Sequence, residues 1–208
     1  MTARFRLAGP LSPALFLLLA CCSETPEHTS GSEQNKPPEP ISAQSAFYKT
    51  FFSARVWAPD AQPIRVAQID VEGVKAVGGK AAAWEALFVS QKLRESRRYI
   101  WSAVHRPVRN LRGGVTSDPP EGWSGASGAE PFVVQAFRTD STAAWDVAMR
   151  KGKEYSRKHP GQSIGLVLER TKRFPNPAWR VYWGDSVAAS RYTVFVDATT
   201  GDYLATAE

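Results

Sequence analysis

Ala83-Trp84 and Arg98-Tyr99 in the first half of the chain have counterparts in Ala178-Trp179 and Arg191-Tyr192 in the second. The two Trp-to-Tyr separations differ by only two residues, which one hairpin turn absorbs. A degenerate duplication of this kind constrains the fold strongly, because a short repeat cannot bury its apolar face alone and must pack against its copy.

The elements around these pairs agree. In the first copy Phe47, Phe51 and Ala54 recur at helical spacing until Pro59 stops the run. An alternating strand follows over 64–71. Strands over 83–89 and 98–104 then flank a polar, Arg-rich turn. In the second copy Asp140, Ser141 and Thr142 offer N-cap oxygens for a helix to about Lys158. Trp145, Ala148, Gly152 and Tyr155 share one stripe of it, and His159-Pro160-Gly161 ends it. Strands over 163–169, 178–183 and 191–196 come next. Between the copies, 109–130 is rich in Gly, Pro and Ser, and Phe132 to Phe137 reads as an additional strand. The fold class is therefore α+β: two tandem α-β-β-β units, each a helix on an antiparallel sheet, following a disordered tether.

The first residues have a different texture. Arg4 and Arg6 precede an apolar run ending at Ala20, too short for a helix across a hydrocarbon core of roughly 30 Å. Leu18-Leu19-Ala20-Cys21 resembles the lipobox of bacterial lipoproteins. That resemblance implies cleavage before Cys21, diacylation of its thiol and a membrane anchor. It places the chain in the cell envelope, on the outer membrane or the periplasmic face if the cell is Gram-negative. Cys21 and Cys22 are the only cysteines, so the rest must hold itself together by its core rather than by disulfides. Ser23 to about Gln44 is rich in Ser, Glu, Pro and Gly and reads as a spacer. The expected organisation is a signal peptide over 1–20, a lipidated cysteine and linker over 21–45, a first unit over 46–113, a loop over 114–130 and a second unit over 131–208.

The second unit, about 141–206, resembles the PepSY domain. The likeness lies in its leading helix, the strand beginning at Trp179, and the closing Tyr192 to Gly201 stretch with its Asp197-Ala-Thr-Thr-Gly201 turn. Through the internal repeat the resemblance extends to the first unit, 46–113, although its closing strand from Trp101 to Pro107 lacks that turn. The resemblance implies a non-catalytic envelope module, of the kind found in propeptides that inhibit or chaperone peptidases.

Chemistry is sparse. The formal charge of +6 falls to +4 once Arg4 and Arg6 are removed with residues 1–20, too diffuse for a nucleic-acid stripe. His105 and His159 lack metal-ligand spacing, and no nucleophile elbow or phosphate loop appears. Asp70 with Glu72, or Glu169 with Asp185, are the carboxylate pairs that an enzyme acting on envelope polymers would use. Outward polar positions of alternating strands explain them equally well. The reading is a binding or regulatory protein, not an enzyme, with no cofactor and no metal; a structural envelope component is the other alternative. Its partners are the membrane, through the lipid, and an envelope protein or peptide. Trp57, Trp84, Trp101, Trp145 and Trp179 fall on faces expected to be buried. Tyr182 and Phe195 instead point opposite their apolar neighbours, either as a partner-binding patch or as the contact between the two copies.

Overall fold

The computed structural model describes residues 39–107, 111–125 and 128–208. Its elements run β1 (Ile41–Ser42), α1 (Ala43–Trp57), β2 (Gln62–Ile69), β3 (Lys80–Ala81), β4 (Ala83–Ser90), β5 (Glu95–Ser102), β6 (Gly114–Ser117) and β7 (Glu121–Gly122). The second half supplies α2 (Ser141–Lys151), α3 (Lys153–Lys158), β8 (Ile164–Glu169), β9 (Ala178–Trp183), β10 (Tyr192–Asp197) and β11 (Tyr203–Ala207). Among the described residues, nine strands form one antiparallel sheet, ordered β11-β10-β9-β8-β2-β4-β5-β6, with β7 also on β5. Helices cover one face of it, as the α+β reading anticipated.

The two copies join edge to edge. β2 and β8, the first long strand of each unit, pair antiparallel at Arg65–Glu169, Val66–Leu168 and Ala67–Val167. Gln68 lies opposite Trp84, and Leu168 lies opposite Trp179. Since these Trp residues are repeat equivalents, Ala67 and Val167 are equivalent too, and they are each other's partners. An approximate two-fold axis therefore passes through that pair.

The repeated aromatics do the same work twice. The Trp84 indole N–H donates to the Ile41 carbonyl at 2.9 Å, and that of Trp179 donates to the Thr139 carbonyl at 2.8 Å. Each acceptor immediately precedes a helix cap, Ser42 or Asp140. The Tyr99 hydroxyl donates to the Ser53 carbonyl and that of Tyr192 to the Lys151 carbonyl, at 3.3 and 3.4 Å. Ser53 and Lys151 each lie eleven residues beyond their cap. Every unit thus ties both ends of its helix to the sheet through one Trp and one Tyr, a use of the amphipathic ring that buries its body and satisfies its polar tip.

One core serves both units. Phe47 of α1 lies 5.6 Å from Phe88 and 5.3 Å from Phe137, which in turn lies 5.7 Å from Trp179 of β9. Phe137 therefore bridges the halves. Helix α1 begins at Ala43, not at 46, because Ser42 caps it by accepting from the Ser45 N–H. Asp140 caps α2 through Ser141 N–H and also accepts from Gln44 N–H of α1 at 2.9 Å, so two helix N-termini converge on one carboxylate. Negative charge there is favoured by both helix dipoles.

Three expectations change. Phe132 to Phe137 is not a strand: Val134–Ala136 form one 3-10 turn. On a strand, residues five apart face opposite ways, whereas both phenylalanines enter the same core. The 140–158 helix breaks at Gly152, where a Cβ would sit 2.7 Å from the Trp183 ring. The segment expected as a loop over 114–130 holds β6 and β7, short and mostly exposed edge strands whose polar composition reads as loop.

Candidate functional site: the open face of the sheet

Opposite the helices, the sheet presents a lane of alternating charge. It starts at Asp118 and crosses Arg98 on β5, Glu85 on β4, Arg65 on β2, Glu169 on β8 and Arg180 on β9. Arg98 reaches Asp118 at 3.3 Å and Glu85 at 2.9 Å; Arg65 reaches Glu85 at 3.0 Å; Arg180 reaches Glu169 at 3.4 Å. Arg65 and Glu169 face each other across the seam between units. Each position follows from strand alternation, which sends Glu85 one way and the buried Trp84 and Ala86 the other. The arginines remain partly exposed, so each pair adds only about 0–1 kcal/mol. The lane is organised rather than strongly stabilising.

Tyr182 and Phe195 both lie on this face. Tyr182 is half-buried, its ring lying across Gly165, where a Cβ would run into it. Burial pushes its hydroxyl pKa up, with the charges of Asp70 and Glu85 adding to this and Arg65 opposing it. The three charged residues that act on it all belong to the first copy. Phe195 is only 5% exposed. Phe174 covers it at 5.3 Å between ring centroids, with the Arg173 guanidinium 4.3 Å from its ring centre and that of Arg180 at 5.4 Å. Cation–π stacking of this kind positions arginines in a plane that a partner can meet. The strand pattern announced Tyr182 and Phe195; the cover over Phe195, from a loop, carried no periodic signal.

Pairing across the seam stops at Ala67–Val167, although β2 continues to Ile69 and β8 starts at Ile164. A cavity of about 670 Å³ lies at this end, lined by Gln68, Asp70, Glu72, Lys75, Trp145 and Gln162, among others. Asp70 and Glu72 thus share a cavity wall, and Asp70 accepts from the Gln68 amide at 2.9 Å. The buried side-chain oxygens of Gln68 and Gln162 accept no hydrogen bond. Glu169 and Asp185 are not brought together: Glu169 meets Arg180 near one end of the β8–β9 hairpin, and Asp185 accepts from Ser163 near the other.

The remaining sequence candidates are dispersed. His159 stacks 4.4 Å from Tyr155, and His105 is exposed on a loop. Among the described residues no group of three His, Cys, Asp or Glu side chains could hold a metal ion. Trp84, Trp101 and Trp179 are buried as expected, whereas Trp57 and Trp145 are half-buried. Cys21 lies outside the described residues, and no described helix is long and apolar enough to cross a membrane.

The Asp197 turn has a role beyond closing a hairpin. Asp197 accepts from the N–H groups of Thr199 and Thr200 at 2.7 and 3.1 Å, and Gly201 takes φ +82° to turn the chain back. The Ala198 carbonyl then accepts from Arg138 and Thr139, and Thr199 donates to the Ala136 carbonyl. The turn therefore fixes the approach to α2.

No family model matches the chain, and no curated protein matches it. Among solved structures, a protein of Clostridium difficile 630 provisionally described as a lipoprotein is similar, with a TM-score of 0.49 at 13% identity over 78% of this chain and 91% of that one.

Proposed function

We propose that the chain is an exported lipoprotein, anchored through Cys21, whose folded part binds an envelope protein or peptide on the open face of its sheet. The sequence of residues 1–21 carries the anchor. The charged lane flanked by Tyr182 and the Arg173–Phe195–Arg180 stack carries the binding reading. Arginine and tyrosine dominate binding energy where they become desolvated, and an ordered alternation of charge selects a partner with the complementary pattern. The Asp197 turn supports the PepSY resemblance for the second unit, and modulation of an envelope peptidase is the role that resemblance suggests.

Two measurements test this. Metabolic labelling with a fatty acid should mark the wild-type chain and not Cys21→Ser, which should leave the membrane fraction; an unlabelled wild type sinks the anchor. Candidate envelope peptidases are then titrated with the wild type and with Arg98→Glu/Arg180→Glu. Binding that weakens at least about tenfold in the variant supports the open face. Equal binding by both, with unchanged circular dichroism, places the contact elsewhere.

A further inference from the structure

The outward side of the helix layer is basic and carries an apolar stripe. On α1, Tyr48, Phe52 and Val56 recur every four residues and are 43%, 72% and 87% exposed. Lys49 and Arg55 lie among them, both exposed, and α1 contains no acidic residue. Helices α2 and α3 add five exposed lysines or arginines against two exposed acids, Asp146 and Glu154. The three helices therefore carry +5, whereas residues 21–208 together carry +4. Everything outside the helices sums to −1. The positive charge of the mature chain is concentrated on one side of the sheet.

Apolar side chains at helical spacing, interleaved with cations and free of acids, match the boundary between lipid headgroups and acyl chains of an anionic bilayer. Three such side chains are too few for a stable protein interface, which takes roughly 800 Å² from each partner. They suffice to orient a domain that a lipid already holds, since tethering raises the effective concentration of a weak second contact. The chain supplies the tether: α1 begins 22 residues after Cys21, a segment that spans at most about 80 Å when fully extended.

We propose that α1 rests on the anionic headgroup surface of the membrane that holds Cys21, so that the helix layer faces the bilayer and the open sheet face points away from it. This rests on the lipid anchor of the preceding reading. The test uses the lipidated full chain carrying Cys22→Ser, with an environment-sensitive fluorophore attached through Phe52→Cys or, separately, through Thr116→Cys on the open face. Acylation of the Cys21 sulfur leaves the introduced thiol as the one that reacts. Each protein is reconstituted into vesicles of phosphatidylglycerol with phosphatidylcholine, or of phosphatidylcholine alone, and floated on a gradient.

The expected result is a blue shift and quenching by brominated lipid at position 52 in the anionic vesicles, and neither at position 116. Adding Lys49→Glu/Arg55→Glu should abolish the shift. Protein that floats while position 52 stays in water overturns the orientation but not the anchor. Protein that does not float overturns both. A shift at position 52 that persists without lipid, accompanied by a dimer in sedimentation, shows that a second copy covers the stripe and overturns the proposal.

Discussion

Gly165 has no side chain because the Tyr182 ring occupies the space where one would stand. The residue is therefore part of the open face even though it contributes nothing to a contact. Gly165→Ala should force the tyrosine off its rotamer and destabilise the protein by about 1–3 kcal/mol, the usual range for overpacking. In a Tyr182→Ala background the same change should be close to neutral, and a double-mutant cycle in urea measures the difference. Tyr182 also makes stability depend on alkaline pH. Its folded pKa is raised, chiefly by burial, so its contribution is complete below the unfolded value of about 10 and is lost as pH rises through the folded one. Tyr182→Phe should make that alkaline limb shallower, as followed by fluorescence-detected unfolding, and Tyr99, whose pKa burial also raises, should supply what remains. At this scale the sequence was informative about direction and silent about cover. Alternation put Tyr182 and Phe195 on the second face, but the distant Phe174 and Arg173 that bury Phe195 come from a loop with no period to read.

At the scale of elements, the duplication was legible because its markers have a structural purpose. Trp84 and Trp179 hold the carbonyl before each helix cap, and Tyr99 and Tyr192 hold a carbonyl in each helix towards its end. Trp84→Phe and Trp179→Phe keep a six-membered aromatic ring but remove the N–H donor together with part of the buried volume. Each should cost about 1–3 kcal/mol for the acceptor left unpaired, with a further loss for the vacated space, and the two totals should be similar because bonds and burial are equivalent. Asp140 is not equivalent to Ser42, since it serves both helices. Asp140→Ala should therefore cost about 2 kcal/mol, close to two ordinary caps, and Ser42→Ala about 1 kcal/mol, with urea midpoints as the measure. A sequence reading finds the caps one helix at a time; that one carboxylate serves two helices follows only from the docking of the units. The same blindness explains the misread strand at Phe132 to Phe137, because β-propensity there competes with the need to turn both rings into one core.

At the scale of the whole molecule, the two copies read as tandem units in the sequence share one nine-stranded sheet and one main core, beside which a smaller cluster gathers around Ile100 and Leu111. Strand pairing across the seam involves three register pairs, which is little, and it gives way to a cavity beside Trp145. The junction is carried instead by the buried chain of rings from Phe88 through Phe47 and Phe137 to Trp179, and by the Ser141 hydroxyl, which donates to the Gly79 carbonyl and accepts from Ala43 N–H. Neither unit can satisfy these groups alone. The protein should accordingly unfold in one transition, with tryptophan fluorescence and far-ultraviolet circular dichroism giving the same midpoint. Phe137→Ala removes the ring common to both halves and should cost about 3–5 kcal/mol. Its more telling effect concerns cooperativity. If the ring couples the units, the variant's two probes should separate and its urea slope should fall, as one half loosens before the other. A variant destabilised to the same extent by Phe88→Ala, which leaves Phe137 on Trp179, should keep coincident probes. Coincidence in both variants would mean that the short β2–β8 seam and the shared helix caps suffice to hold the halves as one cooperative body.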